Sequence, residues 1–336
     1  MMKVAINGFG RIGRNFLRTV LLDGQAQKHI TIVVINIGSA SVQSVAHSFK
    51  YDTLMGTFPG TVVIENDQLV INGTRIKIIR SLDPLQLPWK ALDIDWVVEC
   101  TGHFTYKKDA QKHCVAGARA VLISAPSYDA DVSIIMGVNQ AQFDAKRHAI
   151  VSLGSCTTNA VTPLLKVLND TFGIQTAAMT TVHAYTNTQV LLDVEQDDVR
   201  RARAAALNII PSTTGAMSAV VQVMPELSGK ITGCSLRVPV AKVSIIDLAI
   251  VAEKPVSIIS VHSAFEKAIS GPMKGIMELS GEQLVSSDFS GNGHSVIIDT
   301  AMTDVIGSMV KVFGWYDNEW AYSERLKDFL VFVARQ

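Results

Sequence analysis

Lys3-Val4-Ala5-Ile6-Asn7-Gly8-Phe9-Gly10-Arg11-Ile12-Gly13 is the stretch on which the fold turns. Residues 3–7 read as a short buried strand, and the pattern Gly8-x-Gly10-x-x-Gly13 follows at once. Residues 15–22 then read as a helix, with Phe16, Leu17, Val20 and Leu21 on one side, and residues 30–36 as a second strand. Strand, glycine loop, helix, strand is the order that a mononucleotide-binding unit requires. The first glycine makes the tight turn, the second lets the backbone approach a pyrophosphate, and the third lets helix and strand pack closely. The unpaired N–H groups at the start of the helix face the phosphate charge. Glycine turns are common, so the pattern alone is weak; its position between these elements makes it specific.

One part of that unit is missing. The second strand should end in Asp or Glu, which bonds the adenosine ribose hydroxyls. Here it ends Ile35-Asn36-Ile37-Gly38-Ser39, and no carboxylate lies between Asp23 and Asp52. A 2′-phosphate meets no repulsion from this strand end, and no Arg or Lys follows closely to bind it. The loop leaves NAD and NADP both open. Further strands are expected at 62–65, 69–71, 75–79, 96–99 and 120–124. The last two lead into the polar turns Cys100-Thr101-Gly102 and Ser124-Ala125-Pro126, and an open α/β sheet holds its ligand at strand C-termini.

Past residue 150 the pattern changes. Residues 176–183, 231–240, 243–252, 295–300 and 308–316 read as strands. Several alternate apolar and polar residues, the sign of a half-solvated, largely antiparallel sheet. Helices are expected at 216–224 and 261–269, and a terminal one over 317–332 with Asp or Asn as its N-cap. Trp320, Phe329, Leu330 and Val333 give that last helix an apolar side. The fold class is therefore α/β. An N-terminal Rossmann dinucleotide-binding domain covers residues 1–154, and an α+β catalytic domain with a largely antiparallel sheet covers 155–317.

The chemistry-bearing stretch is Ser155-Cys156-Thr157-Thr158-Asn159, with His183 27 residues after the cysteine. Val161, Leu164, Leu165 and Leu168 follow at helical spacing, so Cys156 sits at a helix N-terminus, where the dipole and free N–H groups favour a thiolate. A nearby imidazole would favour it further. Pro163 predicts a kink in this helix. Thr213-Thr214-Gly215 precedes another helix, either as a plain cap or as an anion site of hydroxyls and N–H groups. Arg237 lies in an alternating strand, as a surface arginine or as a bidentate partner for phosphate. Residues 184–202 are polar with little periodicity and read as a long ordered loop.

Composition bounds the partners. Lys+Arg and Asp+Glu both number 30 in the 336 residues, so no net charge drives binding to nucleic acid or a membrane surface. No run of 18 uncharged apolar residues occurs, and the start lacks the apolar segment of a signal peptide. The four cysteines are scattered, which argues against a metal site or disulfide framework and for a reducing cytoplasm.

Taken together the motifs closely resemble phosphorylating glyceraldehyde-3-phosphate dehydrogenase, almost end to end. The likeness includes Asn7-Gly-Phe-Gly-Arg-Ile-Gly-Arg14, Lys50-Tyr-Asp-Thr53, Ser155-Cys-Thr-Thr-Asn159, His183-Ala-Tyr-Thr-Asn187, Arg203-Ala-Ala-Ala, Asn208-Ile-Ile-Pro211, Arg237-Val-Pro239 and Trp315-Tyr-Asp-Asn-Glu-Trp320. The resemblance implies Cys156 as the nucleophile that forms a thiohemiacetal and then a thioester, and His183 as its base. It implies Thr186, Thr188 and Arg237 for the substrate phosphate. Ser155, Thr157, Thr214 and Gly215 would hold the attacking inorganic phosphate, with Arg203 nearby. Asn7, Gly8, Gly10, Arg11, Ile12, Gly13, Arg80, Thr101 and Ser124 would line the cofactor cleft, Asn318 would orient the nicotinamide amide, and Tyr322 would pack close by. The helix over 318–336 would return to the cofactor domain. The family is a homotetramer, with the 184–205 loop reaching a neighbouring subunit.

The departures carry information too. The family's Asn-Asp at the second strand end is Asn36-Ile37 here, which favours NADP, whereas Glu195 in the long loop would repel a 2′-phosphate. The expectation is weak discrimination, with NAD as working cofactor and dual use open. Ala160 replaces a frequent second cysteine, Ser218 a frequent lysine, and Val240-Ala241-Lys242 a Thr-Pro-Asn. Two other functions remain to be separated from the first: an erythrose-4-phosphate dehydrogenase, and a non-catalytic NAD-binding redox sensor.

Overall fold

The first strand of the chain, β1 (Met2–Asn7), is buried from Val4 onward and pairs in parallel on both sides. Continuous burial is what an apolar strand covered on both faces should show. The computed structural model describes all residues, 1–336. After β1 come α1 (Arg11–Leu22), β2 (Ile30–Asn36), α2 (Val42–Lys50), β3 (Val62–Glu65), β4 (Gln68–Ile71), β5 (Thr74–Ile79), α3 (Trp89–Leu92), β6 (Trp96–Glu99), α4 (Lys107–Val115), β7 (Ala120–Ile123), β8 (Val132–Ser133) and β9 (Ile150–Ser152). These strands form one sheet in the order β3-β4-β5-β2-β1-β6-β7-β9-β8. β5, β2, β1, β6, β7 and β9 run parallel, and β3 and β4 add an antiparallel edge. The strand order reverses at β1, the topological switch point of a doubly wound sheet. Register aligns the ends of three strands there, since Asn7 pairs with Asn36 on one side and Glu99 on the other. Trp89, Leu87, Ile94, Val97, Val34 and Ala5 fill the core on one face.

The second sheet is built from β10 (Ile174–Ala184), β11 (Ile210–Ser212), β12 (Ile231–Val238), β13 (Ser244–Ala252), β14 (Met277–Ser280), β15 (Val296–Ile306) and β16 (Met309–Tyr316). Its order is β11-β12-β10-β13-β16-β15-β14. β10–β12 and β14–β15 are parallel pairs and the other four are antiparallel. α5 (Cys156–Phe172) lies against this sheet and contacts α6 (Ala216–Val223) and α7 (Ile258–Ile269). Val161, Leu164, Leu165 and Leu168 of α5 are all buried, the side their spacing marked. α5 continues through Pro163 to Phe172, so the proline does not end it.

Contacts divide the chain into two units. One comprises Met1–Ile134, Gln140–Gly154 and Ser323–Gln336; the other comprises Ile135–Asn139 and Ser155–Tyr322. The division therefore falls inside the last helix, α8 (Trp320–Ala334), and not at 318, and Ile135–Asn139 join the second unit. Within the first unit Phe329 of α8 meets Trp96 and Phe143 edge-on, and Lys327 pairs with Asp23.

Element boundaries moved where local chemistry outweighed the pattern. α1 begins at Arg11, directly after Gly10 and with Gly13 inside it, four residues before the helix expected from the sequence. β12 stops at Val238 because Pro239 has no N–H to donate. β15 runs on to Ile306 through a register irregularity between Asp299 and Asp304, whose polar residues resemble a strand end. α8 starts at Trp320, with Asp317 accepting from the Glu319 and Trp320 N–H groups. α2 and α4, absent from the sequence reading, are short helices; α2 is capped by Ser41, which accepts from Ser44 N.

Candidate active site

The cofactor cleft is built at the aligned ends of β1, β2 and β6. Gly8 adopts φ +90°, and a side chain there would strike the Thr101 backbone at 2.8 Å. A methyl group on Gly13 would lie 2.3 Å from the Gly8 carbonyl oxygen, so the third glycine allows α1 to pack on the loop. Gly10, the N-cap of α1, has nothing within 4 Å of where a side chain would start. That open side faces a cavity of about 480 Å³ lined by Asn7, Gly8, Gly10, Asn36, Ile37, Ser39, Ser81, Leu82 and Thr101 among others. A backbone with glycine-only approach, a helix start and an adjoining cavity fits a dinucleotide.

A polar network fixes this floor. Asn36 donates to the Asn7 side-chain oxygen at 2.7 Å and to the Ser81 carbonyl at 2.8 Å, and accepts from Ser81 N and Gly38 N. The buried Glu99 carboxylate accepts from Asn7 Nδ2 at 2.6 Å and from Thr101 N at 2.7 Å, and the Thr101 hydroxyl bonds it as well. Behind it, His113 Nε2 lies 3.1 Å from Glu99, and Trp89 Nε1 donates to His113 Nδ1 at 2.9 Å. Glu99, His113 and Trp89 escaped the sequence reading; a carboxylate ending an otherwise apolar strand was the available signal.

The remaining cofactor positions divide. Thr101 lines the cavity, and Ser124 donates from Oγ to the Glu99 carbonyl. Arg11 at the head of α1 is paired with Asp52 of the Lys50–Thr53 motif. Ile12 is partly covered, and Arg80 is exposed and does not line the cavity. Ile37 is buried, and its N–H bonds the Ile79 carbonyl.

In the second unit the cysteine stands at the first position of α5. Ser155 is the N-cap: its Oγ accepts from Thr158 N at 3.0 Å while Thr158 Oγ1 accepts from Ser155 N at 3.3 Å, a reciprocal capping box. Cys156 Sγ lies 3.5 Å from His183 Nε2. His183 is placed by sheet register, since it pairs directly with Arg237 across the parallel strands β10 and β12. Arg237 Nη1 lies 2.7 Å from His183 Nδ1 and 3.2 Å from the Ala184 carbonyl oxygen. Tyr316, from β16, sets its ring edge-on to His183 with centroids 5.9 Å apart. Its hydroxyl bonds Thr157 Oγ1 at 3.0 Å and Thr181 Oγ1 at 2.7 Å. Tyr316 was not singled out in the sequence, although it lies within the Trp315–Trp320 motif.

Burial governs the electrostatics of this pair. It pushes the Cys156 thiol above its ordinary value, and the Arg237 charge and Thr157 hydrogen bonds only partly oppose it. It pushes the His183 imidazole down to about 3, with the Arg237 charge adding to the effect. This burial opposes the favourable helix N-terminus that the sequence indicates. Desolvation thus works against the charged form of each partner.

The other anion-binding candidates surround the pair unevenly. Thr186 and Thr188 place their hydroxyls 2.9 Å apart. Thr214 Oγ1 accepts from Ala216 N at 3.2 Å, so it serves as a cap to α6, and Gly215 is the N-cap residue. Arg203 is drawn elsewhere: its Nε pairs with Asp193 at 2.6 Å and it is largely exposed. Arg201 takes the inner position, where its guanidinium reaches the Thr213 carbonyl and its charge acts on Arg237. Three arginines within four residues, 200, 201 and 203, gave the sequence no means of choosing between them.

Asn318 is buried, and its Oδ1 accepts from Val243 N at 3.1 Å. Val243 has φ +68°, an unusual state for a β-branched residue. Its side chain is held among Phe289, Ile297, Leu284 and Trp315. Lys242, in place of the family's asparagine, forms a buried ion pair with Asp317 and donates to Ser290 Oγ. Tyr322 is buried within α8. Nothing in the structure explains Ser218.

A doubly wound dinucleotide-binding sheet and a second mixed sheet bearing a buried cysteine–histidine pair define a class, the dinucleotide-dependent oxidoreductases with a catalytic cysteine. Residues 2–107 match the NAD binding domain of glyceraldehyde 3-phosphate dehydrogenase and residues 155–318 match its C-terminal domain. Glyceraldehyde-3-phosphate dehydrogenase 2 of Bacillus subtilis (strain 168) is 48% identical over 334 residues, which is 99% of this chain and 97% of that protein. Glyceraldehyde-3-phosphate dehydrogenase 1 of Bacillus cereus is 47% identical, covering 99% of both chains. The chloroplastic dehydrogenase B of Pisum sativum is 47% identical over 100% of this chain and 74% of its own. The chain belongs to the glyceraldehyde-3-phosphate dehydrogenase family.

Proposed function

We propose that this chain oxidises glyceraldehyde 3-phosphate in the presence of inorganic phosphate to 1,3-bisphosphoglycerate, with Cys156 and His183 as the catalytic residues. The observation that carries the assignment of these two is their separation, Sγ to Nε2 3.5 Å, at the start of α5. In this reading the first unit binds the cofactor and the second performs the chemistry. The bound nicotinamide supplies the hydride acceptor. Cys156 attacks the aldehyde carbon, and the thiol proton passes to the resulting alkoxide by way of His183 to give a thiohemiacetal. The Cys156 N–H, at the start of α5, donates to the developing oxyanion. His183 then takes the hydroxyl proton as hydride leaves carbon, and a thioester remains. Inorganic phosphate attacks that thioester; the carbon–sulfur bond breaks, and the acyl phosphate leaves with the thiol restored. Oxidation energy is thus retained in the acyl phosphate.

Arg237, Thr186 and Thr188 hold the substrate phosphate in this reading. Ser155, Thr157, Thr214, Gly215 and Arg201 hold the attacking phosphate. Ser155 Oγ and Thr157 Oγ1 already bond Thr158 and Tyr316, which orients them. NAD is the working cofactor, with NADP accepted because the second strand ends without an acid. Ile37 is buried, and no carboxylate lines the cleft beside it. The chain forms a homotetramer. Leu191, Leu192, Val199, Leu207 and Ile209 are all exposed on one stretch, and an interface would cover them. No helix is long and apolar enough to cross a membrane.

The test is a set of initial rates with glyceraldehyde 3-phosphate, with and without phosphate, with NAD and with NADP. Phosphate-dependent reduction supports the proposal. Reduction that ignores phosphate, or that occurs only with erythrose 4-phosphate, overturns it. Sedimentation analysis at micromolar concentration reads the assembly.

A further inference from the structure

A line of hydrogen bonds passes beneath the cavity at the ends of β1, β2 and β6, and backbone groups fix its direction. Asn36 accepts from Ser81 N at 3.0 Å and donates to the Ser81 carbonyl at 2.8 Å, so its amide nitrogen and oxygen cannot be exchanged. That nitrogen also donates to Asn7 Oδ1 at 2.7 Å, which leaves Asn7 Nδ2 to donate to Glu99 Oε2 at 2.6 Å. Glu99 Oε1 accepts from Thr101 N at 2.7 Å and from the Thr101 hydroxyl. Each carboxyl oxygen therefore faces a group that only donates, an amide nitrogen on one and a backbone N–H on the other. His113 Nε2 lies behind them, 3.1 Å from Oε2 and 3.4 Å from Asn7 Nδ2, with the Phe104 ring edge-on to its imidazole. Ser81 and Leu82 line the cavity at one end of this line and Thr101 and Phe104 at the other, with β1 between β2 and β6. Glu99 itself is 1% exposed and does not line the cavity.

We propose that Glu99 is a positioning residue for the dinucleotide. It acts through Asn7 and Thr101, which it ties together across the ends of β1 and β6. Walls ordered before the cofactor enters lose less freedom on binding, and affinity rises accordingly. An amide cannot take this place. Glutamine presents one oxygen and one nitrogen, and the nitrogen opposes either the Thr101 N–H or Asn7 Nδ2. One wall is released whichever way the amide turns. A shorter carboxylate still reaches Thr101 N, two residues along the chain, as an aspartate does in a turn, and gives up Asn7. The demand for a full-length carboxylate accounts for the one charged residue of β6, Trp96-Val97-Val98-Glu99, in a strand that is otherwise apolar and buried. This inference rests on the reading of that cavity as the cofactor site.

Calorimetric titration of the full chain with NAD reads the affinity of each folded site separately from the number of sites. Glu99→Gln is expected to raise the Kd for NAD by roughly 10- to 100-fold, as for lost hydrogen bonds to a charged group, while kcat at saturating NAD stays within about threefold. A role in folding alone has a different signature: fewer sites and a lower Tm, with the Kd of the remaining sites unmoved. A Kd within about threefold of the original therefore overturns the proposal, whatever happens to Tm. Should Glu99→Gln fail to fold, Glu99→Asp is read against the same limit, with a rise beyond about threefold expected. Gly10→Leu separates this failure from that of the parent reading. A side chain at Gly10 starts with nothing of the chain within 4 Å and projects where the cofactor would approach. A raised Kd in Gly10→Leu beside an unmoved one in Glu99→Gln removes the positioning role alone. An unmoved Kd in Gly10→Leu removes the cavity as the cofactor site, and the positioning role with it.

Discussion

Lys242 Nζ and Asp317 Oδ2 stand 2.9 Å apart with both side chains shielded from solvent, and the next residue along each strand end, Val243 and Asn318, is joined by a hydrogen bond. The ion pair thus clamps the turn that orients Asn318. Removing Lys242 takes the only cation from a buried carboxylate that is otherwise held by the Gly291, Glu319 and Trp320 N–H groups. Lys242→Ala is expected to lose about 3–5 kcal/mol of unfolding free energy, measured by denaturant titration. A loss below ~1 kcal/mol would mean that solvent reaches the pair.

His183 makes the folded state sensitive to acid. Its imidazole is held down to about 3 in the fold, against an ordinary value of 6.5. Between those two values the unfolded chain binds the extra proton. The contribution is complete above pH 6.5 and is lost as pH falls toward 3. His183→Asn should therefore flatten the stability–pH curve in that window. Unfolding free energies at a series of pH values that run parallel for the two proteins would show the imidazole to be freely protonated in the fold.

Cys156→Ser tests the nucleophile. Turnover is expected to fall by about 10³-fold or more, while cofactor affinity, followed by fluorescence titration, stays within about twofold because Cys156 is not part of the glycine cleft. A variant that still turns over at a tenth of the original rate sinks the assignment.

Ile37 and the cofactor preference are linked by charge. Ile37→Asp places a carboxylate at the end of β2, where it can bond a ribose and repel a 2′-phosphate. The ratio of kcat/KM for NAD over NADP should rise by at least ~10-fold, the equivalent of one charged hydrogen bond. No change in that ratio would place the adenosine ribose elsewhere in the cleft.

Arg201 and Arg203 are separable by their partners. Arg201→Ala should raise the KM for inorganic phosphate by about tenfold, whereas Arg203→Ala, which breaks only an exposed pair with Asp193, should leave it within about twofold. The reverse pattern would return the role to Arg203.

The legible features were those written in short spacing. Gly8, Gly10 and Gly13 between a strand and a helix specify the cofactor sheet: Gly8 turns at positive φ, Gly10 leaves its side open, and Gly13 packs on the Gly8 carbonyl. The apolar spacing after Cys156 specifies α5 and places the cysteine at its head, and Ser155 caps it within three residues. The family motifs identify the chain over nearly its whole length. Local sequence fixed these because the interactions responsible reach only a turn or a strand.

Tertiary structure decided what depends on distant strands. That His183 meets Arg237 follows from the β10–β12 register, 54 residues apart in sequence. That Arg203 pairs with Asp193 while Arg201 reaches the Thr213 carbonyl is set by the folded loop. That the thiol is pushed up follows from burial, which opposes the Arg237 charge and the Thr157 hydrogen bonds. Glu99 beneath Asn7 and Thr101, Tyr316 beside His183, and Lys242 against Asp317 likewise exist only once separate segments are brought together. Long-range packing sets desolvation and pairs charges, and neither can be read from the order of residues along the chain.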